Sequence, residues 1–206
     1  MEPVADAGAH AALKEPLSLE AFLQQYDDTH AEWVNGEAIP KTPASVEHQR
    51  TSGFLLGLLV NWLAYHNLGK VYHPLLLVKL SLPDNREVAR EPDIVVILNG
   101  NPGRFAEQYF DGAPDLIVEI VSPASRHRFV KYEEYETAGA PECWLVDPDR
   151  QYAEFFQRDE AGLYRLAFGD SEGVYRSRVL EGFWLQVEWL WMRPPLREVL
   201  TRLGLA

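Results

Sequence analysis

One run of six residues constrains this chain more than any other feature: Leu-Ile-Val-Glu-Ile-Val at positions 116–121. In an extended segment with that order, apolar side chains fall on both faces. Such a strand belongs inside a sheet that is covered on both sides. A helical stretch over residues 129–138 follows, stopped by Gly139 and Pro141, and then a second apolar run, Cys-Trp-Leu-Val at 143–146. Strand, helix, strand in that order reads as a crossover unit, so the two strands are expected to be parallel neighbours. The expected fold class is α/β, a mixed sheet with helices packed on it.

The remaining elements follow from local chemistry. Ser18 can cap a short helix over residues 19–26. Asn35-Gly36, the hairpin dipeptide, predicts two short strands within residues 32–40. A long helix is expected over residues 45–67, with Ser45 as its cap, Glu47 favourably placed in its first turn and Gly69 as its stop. Residues 71–82 read as a strand turned by Pro83-Asp84-Asn85, and residues 93–98 as a short apolar strand. Alternating aromatic and polar residues at 152–158, 164–168 and 174–178 predict additional β-hairpins. Residues 184–191 read as a final strand, and 195–203 as a short helix.

Length and composition bound the rest. The 206 residues suit one large domain, expected over 17–206 behind a flexible N-terminal segment, 1–16. A net charge of −12 argues against a partner held mainly by a basic surface, while leaving room for a local basic cleft. The single cysteine, Cys143, excludes a disulfide framework. The first residues lack a basic stretch followed by an apolar one, so no secretory signal is expected, and the setting is read as cytoplasmic. The uncharged stretch 51–69 has an apolar core, 54–65, of about twelve residues, a length more typical of a buried helix than of a membrane span.

Glu119 carries the first hint of chemistry. An ionised carboxylate inside an apolar strand costs several kcal/mol unless it is paired, hydrogen-bonded or metal-bound. A buried ion pair with Arg or Lys would account for it equally well. Asp93 opens the neighbouring apolar strand, where an Asp can also be only a turn former. Together the two carboxylates could supply hard oxygen ligands to Mg²⁺ or Mn²⁺, with water and phosphate oxygens completing the shell. Such an ion activates water and stabilises phosphoryl charge. Lys131, on the helix after Glu119, reads either as a solvated lysine paired with Glu134 or as a cation aimed at a phosphate.

Three segments bear on these readings: REPDIVVI (90–97), PDLIVEIVSP (114–123) and KYEEYETAGAPECWLVDP (131–148). Together with LSLEAFLQQ, EWVNGE and PASVEHQRTSGFLLGLL nearer the N-terminus, they resemble the Uma2 family of the PD-(D/E)xK, restriction-endonuclease-like superfamily. The resemblance covers about residues 17–190. It implies a restriction-endonuclease-like α/β core with Asp93 and Glu119 as catalytic metal ligands. It also implies Lys131 in place of the superfamily lysine, whose usual position holds Val121. Glu47 matches a helix position where the superfamily often has an extra acidic metal ligand. Tyr135 matches a family position better suited to packing or hydrogen bonding than to catalysis. The stretch before Lys131, SPASRHRFVK, departs from the family in lacking an Asp and in being shorter.

The resulting expectation is a metal-dependent endonuclease acting on nucleic acid, with DNA as the substrate and Mg²⁺ or Mn²⁺ as the cofactor. Arg126, His127 and Arg128 form a basic loop suited to phosphate contacts, or a solvated loop. No membrane is implicated. Two rivals stand beside this reading: a non-catalytic nucleic-acid-binding protein that keeps the fold, and a protein-interaction module. The latter would be a homodimer built on the aromatic tail of Trp184, Trp189 and Trp191, unless those side chains are core.

Overall fold

The computed structural model describes residues 15–27, 29–121 and 128–205. Most of the N-terminal segment expected to be flexible, residues 1–14, lies outside the described residues. Helix α1, Leu19–Gln25, starts where expected, with Ser18 Oγ accepting the Ala21 N–H at 3.1 Å. Strands β1 (Ala31–Val34) and β2 (Glu37–Pro40) flank Asn35 and Gly36, whose φ values of 50° and 86° fit the tight hairpin turn. Helix α2 spans Val46–His66, with Ser45 as its cap. Its stop is Asn67, left-handed at φ 52°, and not Gly69, which instead opens the next strand.

That strand is β3, Gly69–Tyr72, followed by β4, Leu77–Ser81. The single strand expected over 71–82 is therefore broken. Pro74 lacks an N–H for a ladder, and β3 and β4 go to different sheets. Next come β5 (Glu87–Arg90), β6 (Ile94–Leu98), β7 (Arg104–Phe105), β8 (Tyr109–Asp111) and β9 (Leu116–Ile120). Helix α3 (Arg128–Ala138) leads into β10 (Glu142–Asp147), and then β11 (Tyr152–Arg158), β12 (Tyr164–Asp170) and β13 (Val174–Arg176). The strand expected over 184–191 ends early, as β14 (Trp184–Gln186), and yields to helix α4 (Trp189–Met192). Trp189 and Leu190 are adjacent and both buried, which the alternation of a strand facing solvent on one side does not allow. Helix α5, Leu196–Arg202, closes the fold.

The strands form a central sheet, ordered β12-β11-β10-β9-β6-β3, a second sheet, β2-β1-β5-β4-β8-β7, and the hairpin β13-β14. Strands β9 and β10 are parallel neighbours, as the crossover rule requires, and β6 runs antiparallel to β9. Residues 55, 58, 59, 62 and 63 of α2 recur at helical spacing and pack on Ile94, Val96, Leu116, Val118 and Ile120 of the central sheet. The opposite face of that sheet, including Val95, Ile117 and Leu145, packs on Tyr135 of α3 and on Val78, Leu80 and Val88 of the second sheet. Leu19 and Phe22 of α1 pack with Trp33, Leu77 and Ala89 of the second sheet. Trp189 sits in the core beside α2's partners, so this part of the aromatic tail is interior. Among the described residues no helix is long and apolar enough to cross a membrane.

Candidate active site

The junction between the two sheets concentrates buried charge. Strand β5 belongs to the second sheet and β6 to the central one, and Arg90-Glu91-Pro92-Asp93 joins them. Ile94 pairs with Val118 in the antiparallel register of β6 and β9. One step further, that register sets Asp93 opposite Glu119, and directly opposed residues project to the same face. Asp93 is held firmly on one side: its Oδ2 accepts the Ile120 N–H at 2.8 Å and lies 3.1 Å from His48 Nε2 of α2. Its other oxygen, Oδ1, is 3.4 Å from Lys41 Nζ.

Glu119 is held from α3. Lys131 and Tyr135 are four residues apart, so both project over the same strand. The Tyr135 hydroxyl donates to Glu119 Oε1 at 2.6 Å, and Lys131 Nζ lies 3.2 and 3.3 Å from its two oxygens. Lys131 makes a shorter contact, 2.7 Å, to Glu32 Oε1 of β1. Glu32 also accepts from Arg90 Nη1 at 2.9 Å and from the Glu91 N–H at 3.1 Å. The pairing of Lys131 with Glu134 offered by helical spacing is absent, because the Arg90 guanidinium grips Glu134 through two bonds of 2.7 and 2.8 Å. Lys41 donates to the Glu91 carbonyl at 2.8 Å, and Glu91 Oε1 also lies 2.7 Å from His30 Nδ1.

Among the described residues, five carboxylates, Glu32, Glu91, Asp93, Glu119 and Glu134, are thus buried around three permanent cations, Lys41, Arg90 and Lys131. The excess of two negative charges is felt unevenly. Burial opposes ionisation of Asp93, but His48, Lys41 and the Ile120 N–H outweigh it and hold its pKa below the usual value. For Glu119 burial prevails, reinforced by the charges of Asp93 and Glu32, and its pKa is raised despite Lys131. Glu32 is buried too, yet Lys131 and Arg90 keep its pKa low. Two neighbouring carboxylates whose environments push their pKa values apart mark a site prepared for charge chemistry.

The donors suit a hard divalent cation. Among the described residues, Asp93 Oδ1 and Glu119 Oε2 have only lysine contacts, of 3.4 and 3.3 Å, longer than the usual charge-assisted bond. A doubly charged ion would cancel the local excess. No group of three or more His, Cys, Asp or Glu with metal-binding geometry occurs among the described residues, so water and phosphate oxygens would supply the remaining ligands.

Of the other sequence candidates, the structure places Glu47 apart from this cluster. Glu47 is bound at 2.8 Å to both Arg50 and Arg193, and it is the next residue, His48, that reaches Asp93. Successive helical residues point about 100° apart, which is why only one of the two faces the sheet junction. Arg126 and His127 lie outside the described residues, as does the side chain of Arg128, the first residue of α3. Sequence reasoning missed Glu32, Lys41, Arg90 and Glu91. Glu32 opens the EWVNGE segment, and Arg90 and Glu91 open REPDIVVI, so both segments carried a signal. Lys41 stands in an ordinary-looking Lys-Thr-Pro loop and carried none.

The architecture is a restriction-endonuclease-like α/β fold. It matches the crystal structure of a protein from Anabaena variabilis ATCC 29413, titled a "putative nuclease belonging to DUF820", with a TM-score of 0.68. The match covers 86% of this chain and 98% of that one at 20% sequence identity, a likeness of fold. The chain belongs to the Uma2 family, described as "Putative restriction endonuclease", whose model matches residues 19–188. No curated protein matches the sequence.

Proposed function

We propose that the chain is a metal-dependent endonuclease that hydrolyses phosphodiester bonds of nucleic acid, with DNA as the substrate. The observation that carries this reading is the opposition of Asp93 and Glu119 across β6 and β9, inside a buried cluster with negative charge in excess. These two carboxylates would hold Mg²⁺ or Mn²⁺, which when bound supplies Lewis acidity toward phosphate and makes water more acidic.

The chain's own groups position the ligands. His48 and the Ile120 N–H fix one oxygen of Asp93 and leave the other toward the cluster. Tyr135 and Lys131 orient Glu119. In the reaction a water oxygen bonds to phosphorus, one ester P–O bond breaks, and the departing oxygen gains a proton. Lys131 keeps a positive charge beside the reacting group and offsets negative charge as it builds. Arg126, His127 and Arg128 precede or open α3, which carries Lys131, and their proposed role is contact with flanking phosphates. Covering elements drawn from most of the chain, α1 through α5, support residues 17–206 as one domain, and the cytoplasm is the proposed setting for its activity.

The test is incubation of the full chain with supercoiled plasmid, single-stranded DNA and RNA, in Mn²⁺, in Mg²⁺ and in a chelator. Cleavage is expected only with metal, and Asp93→Asn and Glu119→Gln are expected to lose it by orders of magnitude. Absence of cleavage by the wild type on every substrate, or cleavage by either variant at the wild-type rate, would overturn the proposal.

A further inference from the structure

We propose that Lys41 is a second catalytic lysine of this site, the one that contacts the scissile phosphate, while Lys131 stays locked in the protein's own ion pairs. The proposal rests on the nuclease reading above and deepens it.

Among the described residues two ammonium groups reach the Asp93–Glu119 pair, and they are held differently. Lys131 comes from α3, has a side chain only 13% exposed, and is engaged at 2.7 Å by Glu32 and at 3.2 Å by Glu119. A phosphate could recruit it only by breaking a short buried ion pair. Lys41 comes from the segment that joins β2 to α2 and is 21% exposed. Among the described residues its one short bond, 2.8 Å, goes to a neutral acceptor, the Glu91 carbonyl. Both of its carboxylate contacts, to Asp93 Oδ1 and Glu91 Oε1, are 3.4 Å. Charge-assisted bonds usually close to about 2.7–2.9 Å, so the charge of Lys41 is oriented but not consumed.

Its anchorage suits that role. The Lys41 N–H donates to the carbonyl of His30, the residue just before β1, at 2.9 Å, which ties the backbone to the start of that strand. Residues 42–45, which follow it, are exposed, so the lysine lies next to solvent, where a polymeric substrate can approach. Asp93, Glu119 and Glu91 outweigh burial and keep the ammonium charged, and Lys131 is near enough to repel it. An ion held on Asp93 Oδ1 would take over the oxygen that Lys41 faces. The Glu91 carbonyl would retain the lysine, and a phosphate oxygen would become its natural anionic partner.

The experiment compares wild type, Lys41→Met, Lys41→Arg and Lys131→Met in three measurements. The first is the Mn²⁺-induced rise in melting temperature. The second is duplex DNA binding in Ca²⁺ as salt is varied. The third is single-turnover cleavage in Mn²⁺. Lys41→Met is expected to keep the metal-induced rise, with a Mn²⁺ midpoint no higher than that of wild type, because a competing cation has gone. Its log–log salt slope should be shallower by about 0.9, the signature of one lost phosphate contact. Its cleavage should fall roughly 10²–10³-fold, the loss typical of one preorganised donor. Lys41→Arg should restore the slope and part of the rate, whereas Lys131→Met should leave the slope unchanged.

A Lys41→Met protein with wild-type slope and wild-type rate overturns the proposal. So does loss of cleavage together with loss of the metal-induced rise, which would mark Lys41 as a structural tether only. If the methionine variant melts below assay temperature, Lys41→Gln, which keeps a donor for the Glu91 carbonyl, is read by the same criteria. Failure of the nuclease reading is distinguishable, because the wild-type protein itself would then neither bind nor cut nucleic acid.

Discussion

Replacing Lys131 with Met tests the buried charge network most directly. The ammonium bridges Glu32 and Glu119, which are otherwise linked only through more distant partners. Breaking a buried pair by removing one member costs on the order of 3–5 kcal/mol. Here the lower end applies. Glu32 keeps Arg90 at 2.9 Å and the Glu91 N–H at 3.1 Å, so the loss falls on Glu119, which keeps the Tyr135 hydroxyl but loses its cation. At 2–4 °C per kcal/mol for a chain of this size, the melting temperature should drop by roughly 6–12 °C at pH 7. The deficit must depend on pH, and its sign follows from the raised pKa of Glu119. Without Lys131 that pKa rises further, and a group with a raised folded pKa contributes stability that is lost as pH rises through it. The gap between variant and wild type should therefore be wide at neutral pH and narrow as pH falls below the ordinary Glu value of 4.5. Adding Glu119→Gln should recover part of the loss, because no stranded charge remains. Thermal melts followed by circular dichroism at several pH values provide the readout. A Lys131→Met protein within about 0.5 kcal/mol of wild type at pH 7, with no change on acidification, would refute the network.

The other expectations are narrower. Asp93→Asn should abolish most of the Mn²⁺-induced rise in melting temperature, measured by differential scanning fluorimetry, because one of the two proposed ligands loses its charge. Glu47→Gln should leave both that rise and plasmid cleavage unchanged, since its carboxylate is spent on Arg50 and Arg193. Glu142→Ala should destabilise by about 3 kcal/mol or more in urea melts. It strands five donors, the Trp144 and Tyr175 side chains, Ser177 and two main-chain N–H groups, away from the proposed metal-binding pair. Leu58→Ala, in the fully buried face of α2, should cost about 2–5 kcal/mol by the same assay.

Local chemistry made much of this fold legible from sequence. The apolar run 116–121 could only be an inner strand, and it lies between β10 and β6 with both faces covered. Ser18, Ser45 and Asn35-Gly36 act through hydrogen bonds and φ angles within a few residues, and each works as its chemistry requires. The failures occurred where tertiary packing overrides local pattern. Residues 71–82 were divided between two sheets, and the Trp189 region became helical because consecutive bulky side chains both had to enter the core. The carboxylates showed themselves as misplaced polarity, Glu119 within an apolar strand and Asp93 at the mouth of another. Their opposition did not, because the β6–β9 register is set by side-chain packing between strands more than ten residues apart in the chain. The partners of Lys131 were likewise a tertiary matter. Helical spacing offered Glu134, but Arg90, brought in by the second sheet, claims that carboxylate and leaves the lysine to Glu32 and Glu119. Lys41 is the extreme case. A lysine in a Pro-containing loop has no pattern to betray it, and only the close approach of two sheets turns it toward buried acid.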